Sequence, residues 1–382
     1  MVDFPFVHAA ARSEKPLGSC TPSTSLSLDA SFHGYAQLQD SPSVEDMLHR
    51  LRRLRIEEYT QPVFIAPMAK LNLQALDNTL FSLMDKVEEF LAGEAEVMLI
   101  MGDSGAGKST FNRHLEYQHW QNYQPGGRIP LFINLPALDR PDKEMIVEQL
   151  KMADFSGGHI WDLKQRRQLL LICDGYDESQ LTSNLHTTNH FNLPGQWDVK
   201  LIVTCRTQYL GPDYRDRFAP KATGQYHRNA SNLFQEAVIA PFSKEQIELY
   251  VEQFVPFIPR TWVKKDYMDK LATIPNLMDL VRNPFLLTLA LEALPSVVEG
   301  RSDLSRLKIN RAELYDRFVD HWLKVNKRRL HDQTLKDKRK AFEDLLADGF
   351  VQGGIVFQKD LAEAIFQEQD GRPIVEYSNM RD

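Results

Sequence analysis

The sequence has little of what marks secreted or membrane-spanning proteins. Its 382 residues include only three cysteines, Cys20, Cys173 and Cys205. Two of them fall in predicted core strands and one in a polar segment, a pattern typical of free thiols in a reducing compartment rather than of a disulfide framework. No apolar run approaches the ~20 residues that span a bilayer, and the N-terminus has no basic stretch followed by an apolar one, as a secretory signal requires. We therefore expect a cytoplasmic protein without a membrane span.

Positive charge is also in deficit. The chain has 45 Lys and Arg residues against 52 Asp and Glu residues, a net charge of −7, which argues against broad binding to nucleic acids or to anionic membranes. The remaining composition, with 43% hydrophobic and 25% charged residues, is that of a globular protein with a sizeable core. The length is enough for about two to three domains, and no internal repeat of fixed period is apparent.

The middle of the chain alternates between apolar strands and helical segments. We predict strands at residues 96–101, 129–135, 168–173, 200–205 and 233–240, and helices between the first four at 108–120, 143–152 and 160–167. Near-continuous apolar strands separated by helices predict an α/β fold, in which helices cover both faces of a parallel sheet. After residue 242 only helices are predicted, at 243–256, 261–271, 274–281, 284–294, 310–327 and 334–349.

The most specific motif lies between the first strand and the next helix. Residues 102–109 read GDSGAGKS, a complete G-x-x-x-x-G-K-[ST] phosphate loop, or P-loop. Backbone N–H groups and the helix N-terminus make such a loop an anion site. The pattern predicts that Lys108 reaches the β and γ phosphates and that the Ser109 hydroxyl holds Mg²⁺. The predicted nucleotide-binding residues of the loop are Gly102, Asp103, Ser104, Gly105, Ala106, Gly107, Lys108, Ser109 and Thr110.

A second motif follows the third strand, where LLLICDGYDE (residues 169–178) ends a buried strand in acids. A carboxylate at the carboxyl end of a parallel strand faces the ligand crevice. We therefore expect Asp174 to hold Mg²⁺ through water, and Asp177 or Glu178 to orient and activate the attacking water.

Two further residues have two interpretations each. Arg206 directly follows the fourth strand, where a cation can sense the γ-phosphate and stabilise charge in the transition state, but a solvent-facing arginine fits the pattern equally well. Pro284 lies in the string Asn283-Pro284-Phe285 between two predicted helices. It either packs against adenine or simply begins a helix in its first turn.

Taken together, these stretches resemble the NACHT family of signal-transduction ATPases with numerous domains (STAND). The resemblance runs from about residue 95 to 330, and the D-G-x-D-E form of the acidic strand end is its most family-specific part. The matching stretches are GDSGAGKST (102–110), IPLFINL (129–135), LLLICDGYDE (169–178), LIVTCR (201–206), PFSKEQIELYV (241–251), NPFLL (283–287) and RAELYDRFVDHWL (311–323).

The resemblance implies the residue roles given above, with Arg206 as the sensor arginine and Pro284 as the proline against adenine. It also implies a switch, in which ADP holds a closed monomer and ATP favours an open, self-associating form, while tail repeats act as the sensor. Residues 335–369 resemble the beginning of the family's winged-helix domain. The chain ends at Asp382, before the histidine that usually contacts the ADP β-phosphate, so we expect a fragment that lacks the repeat sensor.

The sequence therefore predicts five segments: a disordered tail rich in Ser, Pro, Thr and Gly (1–43), a helical lead-in with helices at 44–58 and 79–92 (44–94), a P-loop NACHT nucleotide-binding domain (95–242), an all-α helical domain (243–330) and a partial winged-helix segment (331–382). Compositional bias of this kind disfavours a packed core in the tail.

The predicted function is that of a slow regulatory ATPase that uses ATP, ADP and Mg²⁺. One alternative is a phosphotransferase, although no arginine-rich lid segment follows and adjacent acids suit water activation better. A second is a GTPase, but the nearest string to N-K-x-D is Val263-Lys264-Lys265-Asp266, which lacks the asparagine. A third is a scaffold that binds nucleotide only for stability.

Overall fold

A computed structural model describes residues 42–76, 79–179, 181–221, 230–258 and 262–298, together with residues 304 and 309. In these residues seven strands form one sheet in the order β2-β1-β7-β3-β6-β5-β4. The strands are β1 (Met68–Lys70), β2 (Phe81–Ser82), β3 (Val97–Gly102), β4 (Ile129–Asn134), β5 (Gln168–Asp174), β6 (Asp198–Arg206) and β7 (Phe234–Ile239). Strands β7, β3, β6, β5 and β4 pair in parallel, which confirms the predicted α/β fold.

Two short strands at one edge of the sheet were not predicted. β1 pairs antiparallel with both β2 and β7, and β2 occupies the first part of the helix predicted at residues 79–92. That helix begins only at Leu83, because the Ser82 side chain accepts a hydrogen bond from the Asp85 N–H (3.3 Å) and caps it. Strands of two or three residues are too short to show the alternation by which a strand is recognised in sequence.

The described helices are α1 (Val44–Glu58), α2 (Leu83–Ala92), α3 (Lys108–Gln121), α4 (Met145–Met152), α5 (Gly157–Arg166), α6 (Leu185–Thr188), α7 (Tyr214–Phe218), α8 (Lys244–Phe254), α9 (Lys264–Thr273), α10 (Leu277–Leu280) and α11 (Pro284–Val298). The one-turn helices α6 and α7 had no sequence signal. The predicted helices at 310–327 and 334–349, the winged-helix segment and residues 1–41 of the predicted tail lie outside the described residues.

Apolar cores cover both faces of the sheet. All six residues of β3 are buried, and the first five alternate between two clusters. Val97, Leu99 and Met101 pack on one face, and Met98 and Ile100 pack on the other. This alternation follows from the twofold side-chain period of a strand. A strand buried on both faces needs helices on both, as the near-continuous apolar run predicted.

A third apolar core lies after β7 and is built from helices α8 to α11. Its buried residues include Val251, Tyr267, Leu271 and Leu287. Val63 of the lead-in packs into the same core, so the chain before the sheet also supports the helices that follow it. The domain boundaries drawn from the sequence stay predictions.

Candidate functional site

The P-loop links the carboxyl end of β3 to the N-terminus of α3. Gly107 has a φ of 89° and is the residue before α3, and Gly105 has a φ of 71°. Glycine adopts this left-handed backbone without the strain that a Cβ would add. The loop thereby turns sharply from the strand into the helix, and the first N–H groups of α3 stay available for an anion.

Lys108 is the first residue of α3, and its side chain folds back into the loop. Its Nζ donates hydrogen bonds to the carbonyl oxygens of Gly102 (2.8 Å) and Asp103 (3.0 Å). Burial lowers the pKa of Lys108, an effect that the charges of Asp177 and Asp174 oppose and that of Arg206 reinforces. The ammonium group therefore lies close to the predicted metal ligand, the predicted catalytic acids and the predicted sensor, which the sheet brings to one edge.

The strand order explains this convergence. β6 lies between β3 and β5, with Gly102 paired to Arg206 and Cys173 paired to Val203. Parallel strands end at the same edge, so the P-loop, Arg206 and Asp174 stand on three neighbouring strands. The sequence predicted that these residues share an edge but contained no signal for their order.

Arg206 is paired with both predicted catalytic acids. Its Nε lies 3.1 Å from Asp177 Oδ2, its terminal nitrogen lies 3.0 Å from Glu178 Oε1, and its backbone N–H donates to Asp177 Oδ1 (3.0 Å). The side chains are only 20%, 8% and 26% exposed, respectively. The solvent-facing interpretation of Arg206 is therefore wrong, and its role as a phosphate sensor stays a prediction.

Gly175 supports the turn that carries these acids. It has a φ of 73°, and a Cβ there would lie 3.0 Å from Pro136 Cδ. Glu178 and Ser179 both donate their backbone N–H to the Gly175 carbonyl (3.1 Å each). The glycine of the D-G-x-D-E motif thus allows a tight turn that brings Asp177 and Glu178 back toward β6.

Asp174 ends β5 and has two polar partners that the sequence analysis missed. Asn112 Nδ2 donates to Asp174 Oδ1 at 2.8 Å, and Thr204 Oγ1 donates to the same oxygen at 2.7 Å. Both partners are buried. A signal did exist for Asn112, because a polar residue one helical turn after the P-loop lysine lies on the face of α3 that covers the strand ends.

The donor set fits Mg²⁺. Ser109 is exposed and offers a hydroxyl in the first turn of α3, and Asp174 offers a carboxylate at the end of β5. In the described part of the chain no cluster of three or more His, Cys, Asp or Glu residues is arranged for a metal ion. Magnesium suits such a site, because it keeps several waters and is usually held by one or two carboxylates together with substrate phosphates.

Asp103, Ala106 and Thr110 differ in what surrounds them in the fold. The Asp103 carboxylate accepts hydrogen bonds from the Thr207 hydroxyl and from Gln208 Nε2 (3.3 Å), so it ties the P-loop to the turn that follows β6. Ala106 packs against the sheet core, and Thr110 is half-buried on α3. Their assignment to nucleotide binding stays a prediction.

The N-terminus of α11 closes on the P-loop. Asn283 Nδ2 donates to the Ser104 carbonyl (2.8 Å), and the Phe285 N–H donates to the Gly105 carbonyl (3.3 Å). Pro284 lies between these two residues as the first residue of α11, where its ring suits a helix start. Contact with adenine stays a prediction for Pro284, but its neighbours do reach the predicted nucleotide loop.

Comparison with known proteins identifies the central part of the chain. The NACHT domain family model matches residues 96–256. An uncharacterized WD repeat-containing protein of Nostoc sp. (strain PCC 7120) is 24% identical over 315 residues, and the match covers 74% of this chain and 19% of that protein. The chain thus spans about a fifth of the length of this curated relative.

Two solved structures align at low similarity. The Aeropyrum pernix ORC2 protein in its ADP form has a TM-score of 0.37 and 12% identity over 76% of this chain and 79% of its own. A Walker-type ATPase of Pyrococcus abyssi has a TM-score of 0.35 and 14% identity over 77% of this chain and 93% of its own.

In the part of the chain that the structure describes, no helix is both long and apolar enough to cross a membrane. The match of residues 96–256 spans β3, the P-loop, the acidic end of β5 and Arg206. This segment of the chain belongs to the NACHT domain family and is a nucleotide-binding P-loop NTPase domain.

Proposed function

We propose that this chain binds ATP and ADP with Mg²⁺ and hydrolyses ATP slowly, so that the bound nucleotide sets its conformation. The observation that carries the proposal is the pairing of Arg206 with Asp177 and Glu178 beside the P-loop lysine. A cation and two acids at this edge are the groups that phosphate hydrolysis requires, beyond those that binding alone requires.

Each group at the site has a separate role in this proposal. Backbone N–H groups of the P-loop and the ammonium of Lys108 bind the phosphates, and the two carbonyl contacts of Lys108 hold its side chain in the loop. Ser109 and Asp174 would hold Mg²⁺, and the bound ion would supply positive charge beside the phosphate oxygens. Glu178, which is more exposed than Asp177, orients the attacking water and accepts its proton.

Arg206 connects nucleotide occupancy to the catalytic acids. Its guanidinium is shared by the carboxylates of Asp177 and Glu178, and a γ-phosphate would compete for the same donors. Arg206 donates through several N–H groups in a rigid plane, so it can engage a phosphate oxygen while keeping one carboxylate in place. This competition would release Glu178 toward water only when a triphosphate is bound.

The contact between α11 and the P-loop provides the route for a conformational switch. Asn283 and Phe285 donate hydrogen bonds to the carbonyls of Ser104 and Gly105. A movement of the loop on phosphate binding would therefore displace the N-terminus of α11 and, with it, the helical core. A ligand that moves a two-state equilibrium from 1:99 to 99:1 must favour one state by ~5.5 kcal/mol. Several charge-assisted phosphate contacts that form in one state only are of this order.

We further propose that the whole protein is cytoplasmic, self-associates in the ATP state and carries a repeat region that acts as sensor. A WD repeat-containing relative that is much longer than this chain supports the repeat region. The buried free thiols of Cys173 and Cys205 suit a reducing compartment.

The test measures ATP binding by calorimetry and phosphate release by a coupled assay. Lys108→Ala should abolish binding, and Glu178→Gln should keep wild-type affinity but slow phosphate release by at least about 100-fold, the order of one general base. Glu248, a partly exposed glutamate on α8, provides the matched control, and Glu248→Gln should behave as wild type. Wild-type turnover by Glu178→Gln would remove Glu178 from catalysis.

The same assay separates the alternatives. Binding without phosphate release would favour the scaffold, and competition by GTP stronger than by ATP would favour the GTPase. A phosphorylated product that appears from a metabolite panel would favour the phosphotransferase. No binding of either ATP or GTP by the folded wild-type protein would refute all four interpretations.

A further inference from the structure

Asn112 is a buried polar side chain next to the site to which no role has been assigned. It lies on α3, one helical turn after Lys108, and is 0% exposed. Its Nδ2 donates to Asp174 Oδ1 (2.8 Å) and also to Thr204 Oγ1 (3.0 Å). Thr204 in turn donates to Asp174 Oδ1 (2.7 Å). The three side chains therefore form a closed triangle of hydrogen bonds that joins α3, β5 and β6.

We propose that Asn112 is a positioning residue for magnesium, which acts by fixing the carboxylate of Asp174 so that its second oxygen faces the metal's water shell. This inference rests on the proposed function. Both polar partners of Asp174 engage Oδ1, so rotation of the carboxylate would break two bonds at once. The group that must hold the metal is thus locked in one orientation from the helix and from the neighbouring strand.

The chemistry of the triangle fixes the orientation of the Asn112 amide. If the amide were reversed, its oxygen would face the Asp174 carboxylate, and two acceptors would repel each other. With the nitrogen toward Asp174, the Asn112 oxygen is buried and accepts no hydrogen bond from any described residue. The asparagine therefore leaves its own oxygen unpaired while its nitrogen supplies a donor to the Asp174 carboxylate, which ties its presence here to that carboxylate.

The placement of Asn112 also couples metal and phosphate binding. Lys108 and Asn112 stand one turn apart on the same face of α3, and residues at this spacing are neighbours. The helix that presents its N-terminus and its lysine to the phosphates therefore also holds the carboxylate that completes the magnesium site. Residues that orient a metal-binding side chain typically change metal affinity or activity by about 10- to 100-fold when they are replaced.

The test compares the affinity for a non-hydrolysable ATP analogue with and without Mg²⁺, measured by calorimetry. Wild type should bind more tightly with Mg²⁺, and Asn112→Leu should reduce that gain by about tenfold or more while affinity without Mg²⁺ stays at the wild-type value. A smaller magnesium gain at unchanged affinity without Mg²⁺ is a result that a purely structural role would not produce.

Asn189→Leu is the matched control. Asn189 is also buried, and its Nδ2 donates to the carbonyls of Pro141 and Leu185 (3.1 Å each), neither of which belongs to the P-loop or to the Asp174 triangle. It should lower the melting temperature and leave the magnesium gain unchanged. Thr204→Val removes the other donor to the same oxygen and should reproduce the magnesium defect, which keeps the test decisive if Asn112→Leu does not fold.

A wild-type magnesium gain in Asn112→Leu, or in Thr204→Val where that is the folded variant, would overturn the role of Asn112. Wild-type protein that binds the analogue with no response to Mg²⁺ would instead overturn the proposed function. Asp174→Ala, assayed in parallel, should abolish the gain in affinity that Mg²⁺ produces. It therefore sets the largest reduction of that gain that a substitution of Asn112 can cause.

Discussion

Replacing Gly105 with alanine should destabilise the protein more than the same change at Gly107. Both glycines have a left-handed backbone, with φ of 71° and 89°, and both lie in the P-loop. A Cβ at Gly107 would meet no heavy atom within 4 Å, whereas one at Gly105 would lie 2.7 Å from Asn283 Oδ1 and 2.9 Å from Phe285 Cβ. The pair of variants therefore separates backbone strain from contact with α11.

The size of the difference follows from the contacts that Asn283 makes. Either alanine would carry a left-handed strain of about 1–2 kcal/mol. Only the one at Gly105 also displaces Asn283, whose Oδ1 caps α11 by accepting from the N–H groups of Phe285 and Leu286 (3.1 Å each). Losing the cap adds about 1 kcal/mol, and losing the Asn283 bond to Ser104 adds about 1 kcal/mol more. We expect about 1–2 kcal/mol for Gly107→Ala and about 3–4 kcal/mol for Gly105→Ala.

The assay is urea unfolding without nucleotide, so that loss of phosphate binding in either variant has no effect on the result. The free energy of unfolding is compared for wild type, both glycine variants and each glycine variant combined with Asn283→Ala. Asn283→Ala removes the Oδ1 atom, one of the two atoms that a Cβ at Gly105 would meet within 3.0 Å. The difference in unfolding free energy between Gly105→Ala and Gly107→Ala should then become smaller. Equal losses for the two single variants would refute the conclusion that α11 packs closely on Gly105.

Two further predictions concern pH. Burial raises the pKa of Glu292 on α11 from 4.5 to about 7. The folded protein therefore binds this proton more tightly than the unfolded chain does. The free energy of unfolding should fall as pH rises between these two values, by up to roughly 3 kcal/mol. Glu292→Gln should remove that pH dependence in thermal melts and raise the melting temperature at neutral pH; a profile parallel to that of wild type would contradict this. Burial also lowers the pKa of Lys108, whereas bound phosphate favours its charged form, so ATP binding should take up protons at alkaline pH and weaken as Lys108 becomes neutral. Equal binding enthalpies in buffers of different ionisation enthalpy would exclude that proton uptake.

The parts of the site that the sequence predicted are those that local chemistry determines. The P-loop is contiguous, its glycines adopt a backbone that other residues resist, and an apolar run before it can only be a buried strand. The same holds for β5, whose apolar residues end abruptly at Asp174. In both cases the strand, the turn and the functional side chain lie within a few residues of one another.

The parts that the sequence did not predict depend on contacts between distant residues. Nothing in β6 states that it lies between β3 and β5, so the pairing of Arg206 with Asp177 and Glu178 had no local signal. Asn283 reaches Ser104 across 179 positions, a contact that exists only because the helical core packs beside the sheet. The motif NPFLL predicted that this stretch matters, but only the fold shows that its asparagine holds the P-loop.

β6 holds Asp174 as well as Asp177 and Glu178, because it lies beside β5 in the sheet. Thr204 and Arg206 are alternate residues of this strand and so project from the same face. Val203 and Cys205, which alternate with them, pack into the core on the other face. Thr204 bonds to Asp174, and Arg206 bonds to Asp177 and Glu178. A shift of β6 by one residue would turn both side chains into the core. Asp174, the predicted metal ligand, and Asp177 and Glu178, the predicted catalytic acids, therefore keep their relative positions through a single strand. Its register is fixed by pairing on both sides with β3 and β5.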